Sequence, residues 1–352
     1  MTQPAELDRP ASRRPTFVIP LLVLVIAGLL AWQFGVLRPQ PSVALVTSGD
    51  TPFWDTVVQG AREAADVYGV KLTVVRSKTD EAQQTAALRE LLQGKYDGVA
   101  VSPINPTAQA AVLADLATRG ALVTLDSDSP ISKRLCFVGT DNYHAGWLAG
   151  EHVKRVLPDG GEVVLFIGNL DKDNAQRRRQ GVIDQLLDRP YEPDHPMDPP
   201  DAPLKGGKYT VAATIVDHSN PEETTALATA MLKEKPQVKA FVGLLGYTTP
   251  ALLKALQETG QLGKVQVVGF DAADATLDGI QAGHVAATIV QDQYGFGFHS
   301  VRILAESANG NTSGLPMFQR RTLPCEQVTQ ENVASIRNQL RQLAAETSKA
   351  SR

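Results

Sequence analysis

With 352 residues, 43% of them apolar, the chain can bury more than one hydrophobic core, so two lobes of ordinary domain size are expected. Its 34 basic and 38 acidic residues leave a formal charge of -4, which offers no basic face to a nucleic-acid backbone. The two cysteines, Cys136 and Cys325, support neither a cysteine-based zinc site nor a disulfide scaffold; they are either free or paired with each other.

Arg9, Arg13 and Arg14 precede an uncharged run over residues 16–37, long enough to cross a hydrocarbon core of about 30 Å. Arginine before the run and a long domain after it orient the N-terminus inward and the body outward. Residues 1–16 are therefore expected in the cytoplasm and 17–37 as a transmembrane signal-anchor. The body is expected in the periplasm or cell envelope. Signal peptides have apolar cores of roughly 7 to 15 residues and end in a small-residue cleavage site. Here Trp32, Gln33 and Phe34 follow Ala31, and no cysteine is present for lipid attachment, so an uncleaved anchor is favoured over a removed signal.

After a short proline-bearing spacer at Arg38, Pro39, Gln40 and Pro41, residues 42–47 (SVALVT) read as a buried strand. Val57, Val58, Ala61, Ala65 and Tyr68 share one helix face, Gly69 stops that helix, and residues 70–75 return as a strand. Asp80 is an N-cap for a second helix ending at Gly94, followed by a strand over 98–102. Asn105 and Pro106 open a third helix that closes at Gly120; strands at 121–125 and 135–139 follow. A second series has strands near 162–167, 209–216, 239–243, 265–270 and 285–290, with helices in the gaps. Alternating strands and helices demand parallel sheets with right-handed crossovers, so two series imply two doubly wound α/β lobes with a cleft between them. Six prolines over residues 189–208 break the rhythm and read as a surface insertion. The polar tail over 331–352 is helix-prone, with Val333, Ile336 and Leu340 on one face and a frayed end.

In open parallel sheets ligands bind beyond the carboxyl ends of the strands. The residues there are Thr47, Ser48, Ser102, Asp126, Ser127, Asp141, Asn142, Asn169, Asp217, Asp271 and Gln291. Such side chains also serve as turn residues and helix caps whatever the function. Phe53 and Trp54 lie where the first strand turns into the first helix, and Tyr247 sits at a later strand end. Flat rings beside planar carboxylates and amides suit a sugar, whose C–H face packs on a ring while its hydroxyls need paired hydrogen bonds. For each ring taken alone, a place in the core accounts for it as well as a place in the cleft.

Over about residues 42–329 the chain resembles the periplasmic ribose- and galactose-type sugar-binding proteins that feed ABC importers. The resemblance rests on TSGDTPFW at 47–54, Val101-Ser102-Pro103 with Asn105, VTLD at 123–126, VGTDN at 138–142 with Gly146, VVGFD at 267–271, and AATIVQ at 286–291. It implies the type I periplasmic binding protein fold, two Rossmann-like lobes joined by a three-strand hinge. The chain would cross between lobes near Thr140, Gln291 and Pro324. One lobe would then comprise 42–140 with 292–324 and the other 141–291 with 325–340, leaving 341–352 as a flexible tail. Cys136 and Cys325 would both lie near the hinge, as a disulfide or as two buried thiols.

The same resemblance implies that Phe53 and Trp54 sandwich a sugar ring while Asp126, Asp271 and Gln291 bind its hydroxyls, with Thr47 and Thr51 along the first lobe's rim. Ser127 stands where ribose-binding members carry an arginine, Gln176 replaces another arginine, and Leu245 replaces an asparagine for which Tyr247 is a substitute. Ribose itself is therefore not the expected ligand. Arg178 falls on a commonly basic family position; Arg177 is the neighbour expected to reach ligand, and Arg179 a solvated helix face.

Catalysis has no visible apparatus: there is no G-x-S-x-G elbow, Walker loop, H-E-x-x-H or paired histidine set. Asp171-Lys172-Asp173-Asn174 starts like a calcium loop, but Gln176 and Val182 stand where glycine and glutamate are needed. No cofactor or metal is expected, and the protein is expected to act as a monomer. A repressor would need a DNA-reading helix-turn-helix where the apolar segment stands. The partners are a small sugar and either an ABC permease or, in the alternative reading, a membrane signalling protein that senses the bound state.

Overall fold

The computed structural model describes residues 18–33 and 39–350. Two units, Met1–Gln40 and Pro41–Arg352, are each compact. In the first, helix α1 spans Val18–Gln33. At 1.5 Å per residue it reaches about 24 Å, short of a hydrocarbon core. Among the described residues no helix is long and apolar enough to cross a membrane. The remainder of the expected 17–37 span lies outside the described residues.

The second unit alternates strands and helices. In chain order these are β1 (Ser42–Val46), α2 (Pro52–Tyr68), β2 (Lys71–Val75), α3 (Glu81–Gln93), β3 (Gly98–Val101), α4 (Ala110–Arg119), β4 (Ala121–Leu125) and β5 (Cys136–Thr140). There follow α5 (Asn142–Val156), β6 (Gly161–Ile167), α6 (Asp173–Leu186), β7 (Leu204–Gly206), β8 (Tyr209–Val216), α7 (Pro221–Glu234), β9 (Val238–Gly243) and α8 (Thr248–Glu258). The last are β10 (Gln266–Phe270), α9 (Asp274–Gln281), β11 (Ala287–Val290), α10 (Gln293–Ala308), β12 (Arg320–Leu323), β13 (Glu326–Val328) and α11 (Val333–Ala350).

Two sheets result, ordered β12-β5-β4-β3-β1-β2 and β13-β11-β10-β9-β6-β8-β7. The first is parallel throughout. In the second, only the edge strands β7 and β13 run antiparallel to their neighbours. The chain passes from one sheet to the other after β5, after β11 and after β12, so three crossings lie side by side. Each sheet buries its β-branched strands between helices on both faces, which is why the strands read as continuous apolar runs. Asp80 and Asp141 cap α3 and α5 by accepting from Gln83 N–H and His144 N–H, and Gly69 ends α2 at φ 63°.

Glycine sets the closest helix approach in each lobe. A Cβ on Gly297 of α10 would lie 1.8 Å from the Val57 carbonyl of α2, and one on Gly146 of α5 would lie 2.0 Å from the Arg178 carbonyl of α6. Those obstacles are backbone atoms, so a methyl group cannot be accommodated by a side-chain rotation. Gly146 therefore controls where α6 sits, and with it the residue whose carbonyl it touches.

The insertion after α6 is a surface loop, as its prolines dictate, but it covers a polar core. Arg179, expected on a solvated face, is buried: its Nε donates to Thr214 Oγ1 (2.8 Å), and its Nη groups donate to the carbonyls of Asp198 (2.7 Å) and Pro199 (3.0 Å). Asp184, 0% exposed, accepts from Tyr143 Oη (2.9 Å), Gln180 (2.9 Å), Arg189 (3.0 Å) and His195 Nε2 (2.7 Å). Asp198 in turn binds Gln180 and Arg189. The tail is helical, as its pattern predicts. Helix α11 continues through Ala350, its start held by Val333, Ile336 and Leu340 against the second lobe's core. Both cysteines are free. Cys136 opens β5 whereas Cys325 follows the end of the adjacent, parallel β12, so a strand length separates them and only Cys325 stands at a crossing.

Two expectations follow. Gly146→Ala should lower the unfolding free energy by about 1–3 kcal/mol; an unchanged urea midpoint would contradict the close approach. His195 has its pKa raised by the hydrogen bond to Asp184. A raised folded-state value gives stability that is full below the unfolded value and lost as pH rises through the folded one. The thermal midpoint of the native chain should therefore fall more between pH 6 and 8.5 than that of His195→Gln; parallel curves would contradict it.

Candidate functional site

The two lobes present equivalent corners to the cleft between them. Asp126 ends β4 and Asp271 ends β10, and both adopt a left-handed backbone, φ 60° and 59°. Each backbone N–H is bonded to the neighbouring strand, Asp126 to Val138 O (3.1 Å) and Asp271 to Ile289 O (2.8 Å). A non-glycine residue held in this conformation costs on the order of 1 kcal/mol or more, and such positions cluster at ligand sites. The outcome here is two buried carboxylates, one from each lobe, turned toward a common centre.

Arg178 of α6 occupies that centre. It is 1% exposed and lies over the Phe270 ring, 4.7 Å from its centroid. Nε donates to Asn142 Oδ1 (2.9 Å), Nη1 to Leu244 O (3.0 Å) and Nη2 to Gln291 Oε1 (2.5 Å). Asp126 Oδ1 stands 4.0 Å from Nη2. Gln291 Nε2 donates onward to Asp271 Oδ1 (3.0 Å), joined by Gln293 (3.3 Å). Asn142 also reaches back to Thr140 O (3.2 Å). Since Asn142 follows the first crossing and Gln291 the second, one guanidinium ties both crossings to the binding corner.

Burial works against charge at this centre. It pushes the Asp271 carboxyl above the usual carboxylate range, while Arg178 and the two glutamine amides pull it back. Burial also lowers the Arg178 pKa, with Asp126 and Asp271 opposing it. A guanidinium is too basic to lose its proton in a protein. Arg178 therefore anchors the charge balance, and both aspartates retain oxygens for hydroxyl donors.

The first lobe contributes a wall of polar strand ends. Ser102 Oγ donates to Asp126 Oδ2 (3.0 Å) and lies 3.3 Å from Ser48 Oγ. Gln84, fully buried, fixes the ends of β1 and β3 by donating to Thr47 O (2.8 Å) and Ser102 O (2.9 Å). From the second lobe Asn174 Nδ2 crosses the cleft to Asp126 Oδ1 (3.0 Å).

Several sequence expectations are corrected. Phe53 and Trp54 meet edge to face at 5.0 Å and 72°, which leaves no slot between them for a sugar ring. Trp54 is core, 6% exposed, and Phe53 alone remains partly exposed. Thr47 is buried with its hydroxyl on Gly49 O (2.6 Å), so it shapes the loop instead of lining a rim; Thr51 is exposed at the start of α2. Arg177 turns away to Asp173 (2.9 Å) and the insertion, because its neighbour on the helix takes the inward direction. Gln176 donates to Leu170 O, closing the loop ahead of α6. Ser127 is buried behind Asp126. Tyr247 Oη donates to Asp217, whose second oxygen accepts from Thr224 (2.8 Å), so that pair braces the strand ends of the second lobe.

Asp126, Asp271, Gln291 and Asn142, all strand-end residues of the sequence, are thus brought together, and Arg178, Asn174 and Lys172 join them without having been selected as ligand-binding residues. Arg178 and Asn142 were visible as the basic residue three before Gly181 and the last residue of VGTDN. Asn174 and Lys172 carried no such signal.

The model of the periplasmic binding protein domain matches residues 42–312. The ribose import binding protein of Haemophilus influenzae is 27% identical over 257 residues, 72% of this chain and 80% of that protein. The D-ribose/D-allose-binding protein of Pseudomonas aeruginosa is 26% identical over 267 residues, 72% of this chain and 77% of that protein. Among solved structures, an ABC transporter solute binding protein of Burkholderia graminis in complex with D-arabinose has a TM-score of 0.75 at 27% identity, covering 84% of this chain and 97% of that one. The chain belongs to the periplasmic binding protein domain family, of the ribose/galactose type.

Proposed function

We propose that the protein binds a sugar or sugar-like solute in the cleft between its lobes and serves as the substrate-binding component of an ABC importer. One observation carries the reading: a carboxylate from each lobe meets at Arg178, Asp126 at 4.0 Å and Asp271 through the Gln291 amide. Carboxylates and a guanidinium supply acceptors and donors in fixed planes, the pattern that vicinal hydroxyls satisfy pairwise. Ligand groups held by both lobes at once favour the closed arrangement about the three crossings, and that arrangement is what a permease would recognise. The relatives named above support the chemistry, since their names speak of ribose, allose and import. The relatives are named as binding proteins, and binding without turnover is the activity proposed.

The body is placed outside the cytoplasmic membrane, with the basic residues and apolar run of the N-terminus directing it there. Retention of that segment as an anchor is the finer reading; it rests on residues 16–37 of the sequence and is tested by the N-terminal mass of the protein recovered from membranes.

A thermal-shift panel of pentoses, hexoses and polyols tests the function directly, because a ligand at 100 times its dissociation constant adds about 2.7 kcal/mol. At least one sugar should raise the midpoint. Asp126→Asn and Asp271→Asn should each weaken that sugar roughly 10- to 100-fold while the fold persists. A panel without any shift, or variants with native affinity, would contradict the assignment.

A further inference from the structure

Lys172, on the second lobe at the start of α6, reaches across the cleft. Its Nζ donates to Ser48 Oγ (2.7 Å) and stands 3.6 Å from Asp126 Oδ2. The side chain is 17% exposed, and burial lowers its pKa against the pull of Asp126. An ammonium has three donors; one is taken by Ser48, and Asp126 is the ion-pair partner.

This lysine borders a cavity of about 200 Å³ that includes Ser48 and Thr79 from the first lobe and Asn169, His218 and Ser219 from the second. The cavity lies on the side of the cleft away from the crossings, since β2 and β8 are remote from β12 and β13 in the two sheets. Among the described residues, no carboxylate lines it. Of the acids next to lining residues in sequence, Asp217 is turned inward with both oxygens bonded, Asp173 is engaged by Arg177, and Asp171 is exposed to solvent. Asn169 accepts from Asp171 N–H through Oδ1 (2.7 Å), which leaves its NH2 group as the free donor. Helix α6 begins beside it without a side-chain cap, and the Asp173 carboxylate of its first turn is engaged by Arg177. Uncapped N–H groups and the positive end of a helix favour an anion. Asn174 is 1% exposed and its Oδ1 lacks a partner, an unmet acceptor that a hydroxyl of the same ligand would satisfy.

The inner half of the cleft, by contrast, pairs Asp126 and Asp271 with Arg178. Acceptors there suit ring hydroxyls, while the outer half offers donors. We propose that the ligand is an acidic sugar whose oxyanion, a carboxylate or phosphate, sits against Lys172 and the start of α6. Lys172 is thereby the residue that sets specificity, in the protein that carries Ser127 in place of an arginine beside Asp126. This inference rests on the cleft being the sugar site proposed above.

Titration calorimetry of the full-length chain with matched pairs tests it: D-galactose and D-galacturonate, D-glucose with D-glucuronate and D-glucose 6-phosphate, and D-ribose with D-ribose 5-phosphate. At least one acid should bind about tenfold or more tightly than its neutral parent. The acid-to-neutral ratio should collapse in Lys172→Met and recover in Lys172→Arg, each with a native circular dichroism spectrum. The uronates and phosphates separate the two oxyanions. A neutral parent bound as tightly as its acid, or an acid preference that survives Lys172→Met, overturns the inference while leaving the sugar reading in place. Binding of no compound in the panel overturns both.

Discussion

A guanidinium buried between two lobes must be satisfied on every side, and much of the site follows from that constraint. Removing such a charge from water costs several kcal/mol unless its donors are met, and removing a partner afterwards costs about 3–5 kcal/mol. Arg178 meets the demand with Asn142, Leu244 O and Gln291, and with the Phe270 face below it. Two of those partners stand beside interlobe crossings, so the cation that faces the cleft is held by the segments about which the lobes would turn. Its helix is seated by Gly146, whose missing Cβ admits the Arg178 carbonyl. A glycine on one helix, an arginine on the next and the hinge are therefore one mechanical unit.

The two aspartates show how the same solution is reached twice. Each ends a central strand, each takes a left-handed backbone, and each has its N–H fastened to the next strand. The strain is tolerated because the adjoining strand holds the backbone through that N–H and, at Asp271, also through Thr288 Oγ1 donating to its carbonyl (2.8 Å). The lobes differ in what they add: serines and Gln84 in the first, amides, Arg178 and Lys172 in the second. The cleft is consequently acceptor-rich near the crossings and donor-rich at its mouth, a polarity that would orient an asymmetric ligand.

Much of the fold was legible because its signals are local. Apolar runs separated by capped, amphipathic helices identify the strands, and glycines such as Gly69 mark helix ends. The positions of Asp126, Asp271 and Gln291 followed from the strand-end rule. Side-chain direction was not legible. Arg177, Arg178 and Arg179 are consecutive, and only the helix phase imposed by Gly146 and Gly181 decides that the middle one enters the cleft. Trp54 was read as a stacking ring because residue type does not distinguish a ring that caps a core from one that faces it. Lys172 went unselected because its reach across the cleft depends on the approach of two lobes, a contact between residues 124 positions apart.

The most direct test is a crystal structure of the chain with the tightest-binding sugar of the panel. The account predicts ring substituents within hydrogen-bond distance of Asp126 from the first lobe and of Asp271 or Arg178 from the second, with the lobes closed on the ligand. A sugar that touches one lobe only, or lies outside the cleft, would contradict it.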